Sequence, residues 1–431
     1  MSDMQPTEDQ QLALDQMVTW INEGYSSNSR RFVHDKPYYV LQGYAGTGKS
    51  FAITKLIEAL GIRQSEIAFT APTNKAAKVL RNYLDDSELF DCPTRTIYSL
   101  LGLSLQANGE IKELARPEEP VDLSGYRVII VDEASMVNRF LMEAIADAYS
   151  DWGRPFIFMG DPAQLPPVGE IRSPVFEIDH GFTLTKVLRY GNSMLDLATR
   201  IRNIVDHPFP SIQISSNPPV YRISKSDWFS RIIADLELLK EGEAKIIAWR
   251  NVKVDEYNQM VRKQIFGQEA RANFWLPGDE IIAKAPLKDL DDRVFMQNAE
   301  EATIEEIAIG THPIFSEYEI YNLLVAHESG RKFTIRTLTQ SGQFQVNNRL
   351  NELSMQAKNG QRYKWKEFWE LKEAFHEVKH AYAITSHMSQ GSSYKKVFVD
   401  LEDIMLNRNR QEAFRSLYVA ATRQREEIYF A

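Results

Sequence analysis

The sequence predicts an α/β protein with two parallel sheets, each covered by helices. Before residue 200, the short apolar runs YYVLQ, EIAFTAP, RVIIVDE and PFIFMGDP alternate with segments of helical periodicity, and polar residues follow each run. A second series comprises AKIIAWRN (244–251), HAYAITSH (380–387), KKVFVDL (395–401) and EEIYF (426–430). Because the two series are of one class and lie far apart in the chain, they predict two stacked lobes.

We divide the chain into two domains and one insertion. The first domain is residues 1–190, and the second is residues 191–275 together with 381–431. Between them, residues 276–380 include GDEII, YEIYNLLVAH and KFTIRTLTQSGQFQV, in which polar and apolar residues alternate as in short antiparallel strands. This part predicts a small β-barrel followed by helical segments.

A shorter insertion is expected inside the first domain, at about residues 87–122. The segment LGLSLQANGEIKELA (101–115) places Asn108 and Gly109 between two alternating runs, which is the strongest short-range signal for a β-hairpin. The hairpin would protrude between the second and third strands of the first lobe. An ordinary surface hairpin is the alternative interpretation.

Composition limits the classes of function. The 50 basic and 59 acidic residues give a net charge of −9, so any nucleic-acid site must be a local basic lining. The single cysteine, Cys92, excludes an internal disulfide framework and a cysteine-built zinc site. With no signal-peptide pattern and no apolar run of membrane-spanning length, we expect a protein of the cytoplasm, which is the host cytoplasm if a phage encodes it.

The segment GYAGTGKS (43–50) has the spacing of a phosphate-binding loop. It follows an apolar run and precedes a helical pattern, which is the context that such a loop requires. The backbone N–H groups of residues 44–49 would hold phosphates, Lys49 would neutralise the β and γ oxygens, and Ser50 would ligate Mg²⁺. The predicted nucleotide-binding residues of the loop are Gly43, Ala45, Gly46, Thr47, Gly48, Lys49 and Ser50.

Four further positions complete this chemistry. Asp132 and Glu133 end an apolar strand, where Asp132 would hold Mg²⁺ and Glu133 would accept a proton from the attacking water. Gln164, in GDPAQLPPV, would sense the γ-phosphate or its water. Gln10 would pair with the N6 and N7 edge of adenine, or would form a helix capping box with Thr7, and the two roles are compatible.

A rival motif, HEVKH (376–380), fits the HExxH spacing of zinc proteases. It lacks an evident third ligand and runs into a strand, so we favour a solvated helix end for His376 and His380. The preceding aromatic residues are more typical of core packing than of a DNA-binding platform; they are Trp365, Phe368, Trp369 and Phe375.

Ten blocks resemble, in order, the motifs of superfamily 1 helicases of the RecD-like branch. They are TEDQ, GYAGTGKS, FTAPTNKAAKVL, TRTIYSLL, VIIVDEASM, GDPAQLPPV, LTKVLRY, AWRN, ITSHMSQGSS and YVAATRQR. The resemblance covers nearly the whole chain. It implies two RecA-like P-loop NTPase domains, ATP in the cleft between them, and single-stranded DNA across their upper face with translocation 5′ to 3′.

The resemblance assigns catalytic roles residue by residue. Lys49, Glu133 and Gln164 keep the roles given above, and Asp132 and Ser50 remain the metal ligands. Arg189 in LTKVLRY and Arg423 in AATRQR become the arginines that approach the γ-phosphate. Because Arg423 comes from the second lobe, hydrolysis would depend on closure of the cleft.

The resemblance also implies DNA contacts in loops of both lobes. The predicted residues are Pro72, Thr73, Asn74, Lys75, Thr96 and Tyr98 in the first lobe, and Ser386, His387, Ser389 and Gln390 in the second. A helix cap and a core aromatic are the alternative for Thr96 and Tyr98. Met388 stands where relatives commonly carry a lysine, so one positive charge is missing.

The hairpin occupies the position of the family's strand-separating pin, although its tip carries no aromatic wedge. The candidates for strand separation are Leu105, Asn108, Gly109 and Ile111. Together these features predict an ATP- and Mg²⁺-dependent DNA helicase that unwinds forked DNA as a monomer, in replication, recombination or repair, with a single-strand DNA-binding protein as a further partner. A translocase that displaces bound proteins and an RNA helicase are the alternatives.

Overall fold

The computed structural model describes residues 5–25, 30–186, 192–327 and 329–431. The first lobe is an α/β unit. Its elements are α1 (Glu8–Gly24), β1 (Tyr38–Gly43), α2 (Lys49–Leu60), β2 (Ile67–Ala71), α3 (Asn74–Asp86), β3 (Thr94–Thr96), α4 (Ile97–Leu100), β4 (Ser104–Asn108), β5 (Ile111–Ala115), β6 (Val128–Val131), α5 (Arg139–Trp152), β7 (Phe156–Gly160) and β8 (Gly181–Leu184).

Six of these strands form one sheet in the order β3-β2-β6-β7-β1-β8, and every neighbouring pair is parallel. The central strands β6 and β7 are buried along their whole length, which explains their unbroken apolar sequences. The carboxyl ends of parallel strands lie along one edge of a sheet. The loops after β1, β2, β6 and β7 therefore gather at that edge, where ligands of open α/β sheets bind.

The second lobe is also an α/β unit. Its elements are α6 (Asn192–Ile204), β9 (Val220–Arg222), α7 (Lys225–Ala234), α8 (Leu236–Lys240), β10 (Ala244–Ala248), α9 (Asn251–Phe266), α10 (Glu269–Ala272), β18 (Ala383–Thr385), β19 (Tyr394–Val399), α13 (Leu401–Met405), α14 (Arg410–Ala420) and β20 (Gln424–Phe430). The parallel sheet has the order β18-β10-β19-β20-β9. The predicted α/β class with two parallel sheets is thus confirmed, whereas the domain boundaries stay predictions.

Between α10 and β18 lies a segment of different architecture. Its elements are β11 (Glu280–Ala283), β12 (Leu287–Lys288), β13 (Val294–Met296), β14 (Glu301–Thr311), β15 (Glu319–His327), β16 (Lys332–Leu338), α11 (Gln340–Lys358), α12 (Lys364–Glu373) and β17 (Val378–His380). The sheet β16-β15-β14-β11-β17 is antiparallel. His376 joins its two edges, because its N–H donates to the carbonyl of Arg336 at 2.8 Å and its Nδ1 accepts from the N–H of Arg336 at 2.9 Å.

This position of His376 corrects the expectation of a solvated helix end. Helix α12 ends at Glu373, and both His376 and His380 are buried, with His380 in β17. Within the described ranges no cluster of metal-ligating residues occurs. The buried members of the aromatic pattern, Phe368 and Phe375, pack in the core under α11 and α12.

The hairpin β4–β5 has a turn one residue later than predicted. Asn108 pairs with Ile111, so the two turn residues are Gly109 and Glu110. Gly109 has φ +64°, which a glycine adopts without strain, while the side chain of Asn108 instead donates to Glu113 across the hairpin.

The hairpin tip lies on α11 and α12, and we call this contact the bridge. Trp369 Nε1 donates to the carbonyl of Gly109 at 2.8 Å, and Lys358 pairs with Glu110 at 2.7 Å. Lys112 forms a further ion pair with Glu373.

No helix in the described part of the chain is long and apolar enough to cross a bilayer.

Candidate functional site: a nucleotide cleft between two lobes

The loop between β1 and α2 has the backbone shape of a phosphate-binding loop. Gly46 and Gly48 have φ of +84° and +79°, and α2 starts at Lys49 without a side-chain cap, so its first N–H groups remain open to a ligand. A Cβ at Gly43 would lie 2.5 Å from Thr47 Oγ1, so a larger residue would displace the Thr47 side chain. The Lys49 ammonium donates to the carbonyls of Gly43 at 2.6 Å and Tyr44 at 3.2 Å.

Gln10 links the first helix to this loop. Thr7 and Gln10 form the capping box, with Thr7 N donating to Gln10 Oε1 at 3.0 Å and Gln10 N donating to Thr7 Oγ1 at 3.3 Å. Gln10 Nε2 also donates to the carbonyl of Thr47 at 3.0 Å. The capping role is therefore present, and the amide lies against the nucleotide-binding loop; its contact with adenine stays a prediction.

Asp132 and Glu133 follow β6 at the same edge of the sheet. Glu133 has φ +49°, a left-handed conformation that is uncommon for a non-glycine residue and concentrates at functional sites. Burial in the cleft, and then the charge of Asp132, raise the pKa of Glu133 to about 7, against the lowering effect of Arg423 and Lys49. Burial also raises the pKa of Asp132. A carboxylate with a pKa near neutrality suits a general base.

Gln164 meets the second lobe directly. Its side chain is buried, and its Oε1 accepts a hydrogen bond of 3.0 Å from Gln390 Nε2, which also donates to Ser135 Oγ at 3.3 Å. Sequence patterns assigned Gln390 to DNA and Gln164 to the γ-phosphate. In the structure the two amides join the lobes, and their ligand contacts stay predictions.

Helix α14 makes the closest side-chain contacts with the first lobe. Tyr418 Oη donates to Asp161 Oδ2 at 2.7 Å, and Arg415 Nη1 donates to the carbonyls of Pro162 at 2.5 Å and Gln164 at 3.0 Å. We call these contacts, with the pair Gln164–Gln390, the seam. Asp161 and Tyr418 lie in the blocks GDPAQLPPV and YVAATRQR, but the sequence predicted a role for neither residue. Arg415 lies outside every block.

Arg423 lies just after α14, and its guanidinium is buried. Its Nε donates to the carbonyl of Val419 at 3.0 Å, and its Nη2 donates to Thr422 Oγ1 at 2.9 Å. Its charge nevertheless lowers the pKa of Glu133, so the cation of the second lobe acts on one carboxylate of the first. Arg189, the other predicted arginine, lies outside the described residues.

A second arginine of the second lobe was missed by sequence analysis. The guanidinium of Arg202, on α6, stacks 3.6 Å from the centroid of the Tyr44 ring, inside the phosphate-binding loop. Such a stacked cation stabilises by about 0.5 to 2 kcal/mol. The aromatic residue at the second position of GYAGTGKS was the available signal.

The residues predicted to contact DNA differ in their exposure. Thr73 and Thr96 cap α3 and α4 by accepting from Ala76 N and Ser99 N, both at 3.1 Å. Burial raises the pKa of Tyr98, which packs partly against the first-lobe core. The cap and the core aromatic named as alternatives are thus both present. Pro72 is buried, Asn74 starts α3, and Lys75 pairs with Glu301 at 3.7 Å.

In the second lobe, Ser386 and Ser389 have 0% exposed surface, whereas His387 is exposed. A cavity of about 380 Å³ separates His387 from the loop at residues 165–171. That loop presents two apolar side chains to solvent, Val168 at 94% and Ile171 at 84% exposure. The DNA-binding assignments themselves stay predictions.

Comparison with known proteins finds helicases and helicase domain families. The AAA domain family matches residues 22–203, and the UvrD-like helicase C-terminal domain family matches residues 380–431. The chain is 28% identical to the ATP-dependent DNA helicase dda of Enterobacteria phage T4, over 92% of its own length and 95% of the relative's. It is 24% identical to the RecBCD enzyme subunit RecD of Buchnera aphidicola, over 89% of its length and 68% of the relative's.

Solved structures agree in fold. A Pif1 helicase, from a study of unwinding at forked double-stranded DNA by two coordinating Pif1 helicases, overlays with a TM-score of 0.52 at 17% identity, covering 99% of this chain and 92% of that one. The family matches cover the part of the chain that carries the cleft from both sides. The chain is therefore similar, over nearly its whole length, to superfamily 1 helicases of the RecD-like branch.

Proposed function

We propose that this protein is an ATP-dependent DNA helicase that translocates 5′ to 3′ on single-stranded DNA and unwinds duplex. The observation that carries the proposal is the cleft itself: one lobe carries a phosphate-binding loop and an acidic pair, and the charge of the buried Arg423 on the other lobe lowers the pKa of Glu133. The similarity to the phage helicase over 92% of this chain, and to RecD over 89% of it, supports the direction of movement.

ATP would bind with its phosphates on the N–H groups of the loop and the start of α2. Lys49 would leave the neutral carbonyls of Gly43 and Tyr44, because a phosphate oxygen is a charged and stronger acceptor. The Ser50 hydroxyl and the Asp132 carboxylate are hard oxygen donors that fit Mg²⁺, which supplies charge neutralisation at the β and γ oxygens. We assign Glu133 the role of accepting the proton of the attacking water.

Single-stranded DNA would cross the face that carries α3, α4 and His387. The exposed Val168 and Ile171, beside the cavity next to His387, offer apolar contacts to unstacked bases. Hydroxyl, amide and backbone contacts at the caps of α3 and α4 would bind phosphates without reading sequence. Closure and opening of the cleft would then move one set of contacts relative to the other.

The hairpin is proposed to separate the strands. Its tip is held in the bridge, while Leu105 and Ile111 on its flanks are 59% and 56% exposed. A hairpin fixed at its tip can transmit force with its flank. Each base-pair step opposes translocation by about 1.4 kcal/mol of stacking, which a modest wedge combined with directional stepping can overcome.

Two measurements test the proposal. Lys49→Ala should abolish DNA-stimulated ATP hydrolysis, because Lys49 is the one basic residue of the segment 43–50 that binds the phosphates; hydrolysis at the parental rate would contradict the ATPase assignment. Unwinding of partial duplexes should occur from 5′ overhangs in the presence of ATP. Unwinding only from 3′ overhangs would contradict the direction while leaving the ATPase assignment intact.

A further inference from the structure

Helix α14 holds the loop after β7 with two side chains from one face. Arg415 and Tyr418 are three residues apart, so both point towards the first lobe. Arg415 donates to the carbonyls of Pro162 and Gln164, and Tyr418 donates to the carboxylate of Asp161. Arg415 and Tyr418 are at most 5% exposed as whole residues. The position of the loop is therefore set by the second lobe.

Asp161 connects this loop to the phosphate-binding loop. Its Oδ2, which accepts from Tyr418, also accepts from Ala45 N at 2.9 Å, and its Oδ1 accepts from Ala163 N at 3.0 Å. Its side chain is buried, at 1% exposure. A buried carboxylate needs its donors, and the three donors come from the phosphate-binding loop, the loop after β7 and α14. Displacing one donor moves the acceptor of the other two.

We propose that Asp161 and Tyr418 are positioning residues that make the shape of the phosphate-binding loop depend on docking of α14. This inference rests on ATP hydrolysis in the cleft, as proposed above. When α14 is docked, Tyr418 fixes the Asp161 carboxylate, which fixes Ala45 N and so the loop that presents its N–H groups to the phosphates. Closure of the lobes would then do two things, bringing Arg423 to the site and completing the loop that receives the γ-phosphate.

The expected consequence is a loss in turnover and not in nucleotide affinity. In Tyr418→Phe, Asp161 still accepts from Ala45, so ATP binding to the loop is retained. The phosphate-binding loop is then no longer held by the second lobe. Misplacement by about 1 Å at a reacting centre can lower the rate about 10²-fold. A hydrogen bond to a charged group is strong enough for a loss of about tenfold in kcat.

The matched control is Tyr257→Phe. Tyr257 is also a buried tyrosine whose hydroxyl donates to a buried aspartate, Asp400, but both residues lie within the second lobe. ATP hydrolysis with saturating single-stranded DNA should show kcat reduced about tenfold in Tyr418→Phe with KM for ATP within about twofold, and both constants unchanged in Tyr257→Phe. Thermal unfolding reports any general loss of stability in each variant. Equal kcat in Tyr418→Phe and the parent, or equal losses in both variants, would overturn the inference.

A second variant tests the connection through Asp161. Asn at this position has one acceptor oxygen for three donors, so Asp161→Asn should lose more turnover than Tyr418→Phe and should also raise KM for ATP. If the two residues act as one unit, the double variant should be no slower than Asp161→Asn alone. If the losses of turnover add in the double variant, Asp161 and Tyr418 do not act as one unit. If Lys49→Ala is inactive while Tyr418→Phe matches the parent, the proposed function stands and only this inference fails.

Discussion

The seam and the bridge both join the two halves of the chain, but they are built differently. Asp161, Gln164, Arg415 and Tyr418, which form most of the seam, are between 1% and 6% exposed. In the bridge, the Glu110 and Lys358 side chains are 46% and 56% exposed. Buried hydrogen bonds leave a desolvated group behind when broken, whereas exposed ion pairs contribute little and weaken with salt. The seam is therefore suited to making ATP hydrolysis depend on docking of the lobes, and the bridge is suited to holding the hairpin in place.

The largest effect is expected at the cleft, from Arg423→Ala. Loss of the guanidinium should lower DNA-stimulated kcat by about 10³-fold or more, because an arginine that stabilises the transferring phosphoryl group contributes about that factor. Arg425→Ala is the matched control, since Arg425 is 47% exposed and pairs with Glu243 on the surface. Stopped-flow phosphate release with saturating DNA measures both variants. A loss below about tenfold in Arg423→Ala would remove this arginine from the mechanism.

The antiparallel segment that carries α11 and α12, and with them one side of the bridge, should become less stable in acid. Burial lowers the pKa of His376 to about 4, below its unfolded value of 6.5, so the neutral ring is favoured by folding. The contribution of the neutral His376 ring to the free energy of unfolding is complete above pH 6.5. It falls as the pH drops towards 4, by about 3 kcal/mol in total. His376→Gln should flatten the dependence of the unfolding free energy on pH over this range.

His207→Gln is the control for that measurement, because His207 is exposed and lies outside the antiparallel sheet. Chemical denaturation at intervals between pH 7 and 4 gives the two slopes. If His376→Gln keeps the parental slope, protonation of His376 is not what destabilises the protein in acid.

A smaller effect is expected from Trp369→Phe, which removes the hydrogen bond to Gly109 and keeps most of the ring. The bridge should lose about 1 kcal/mol. Unwinding of forked DNA should slow several-fold while DNA-stimulated ATP hydrolysis stays within about twofold, because the cleft is untouched. Trp365→Phe trims a ring that packs against the same glycine and should have less effect. Parallel losses of hydrolysis and unwinding would show that the bridge is not separate from the seam.

The smallest effect is expected from Lys358→Ala. Its ion pair with Glu110 should contribute about 0.2 to 1 kcal/mol, and the contribution should disappear as salt rises. The unwinding rate of Lys358→Ala should lie below that of the parent at low salt, and the two rates should converge at high salt. Lys366→Ala removes a more exposed pair, with Glu370 within α12, and should leave unwinding unchanged at every salt concentration. A defect that persists at high salt would point to a packing role for the Lys358 stem.

Local patterns predicted the parts of the molecule that local physics builds. The buried parallel strands were found because strands covered on both faces need unbroken apolar runs, and the phosphate-binding loop because its glycines adopt positive φ. Prediction failed where two local solutions compete. The hairpin turn consists of Gly109 and Glu110, because Gly109 takes the positive φ of the turn. HEVKH joins the antiparallel segment because the backbone and ring of His376 hydrogen-bond to Arg336 of β16.

What the sequence alone determined is the α/β class and the order in which the functional loops follow their strands. Only the tertiary structure decided which atoms meet across the lobes: Gln390 with Gln164, Tyr418 with Asp161, and Trp369 with Gly109, pairs separated by 226, 257 and 260 residues. Periodicity and propensity act over a few residues, so they specify which side chains are buried and which loops carry chemistry. Partners across the seam and the bridge depend on how finished lobes dock, and no local pattern encodes that geometry.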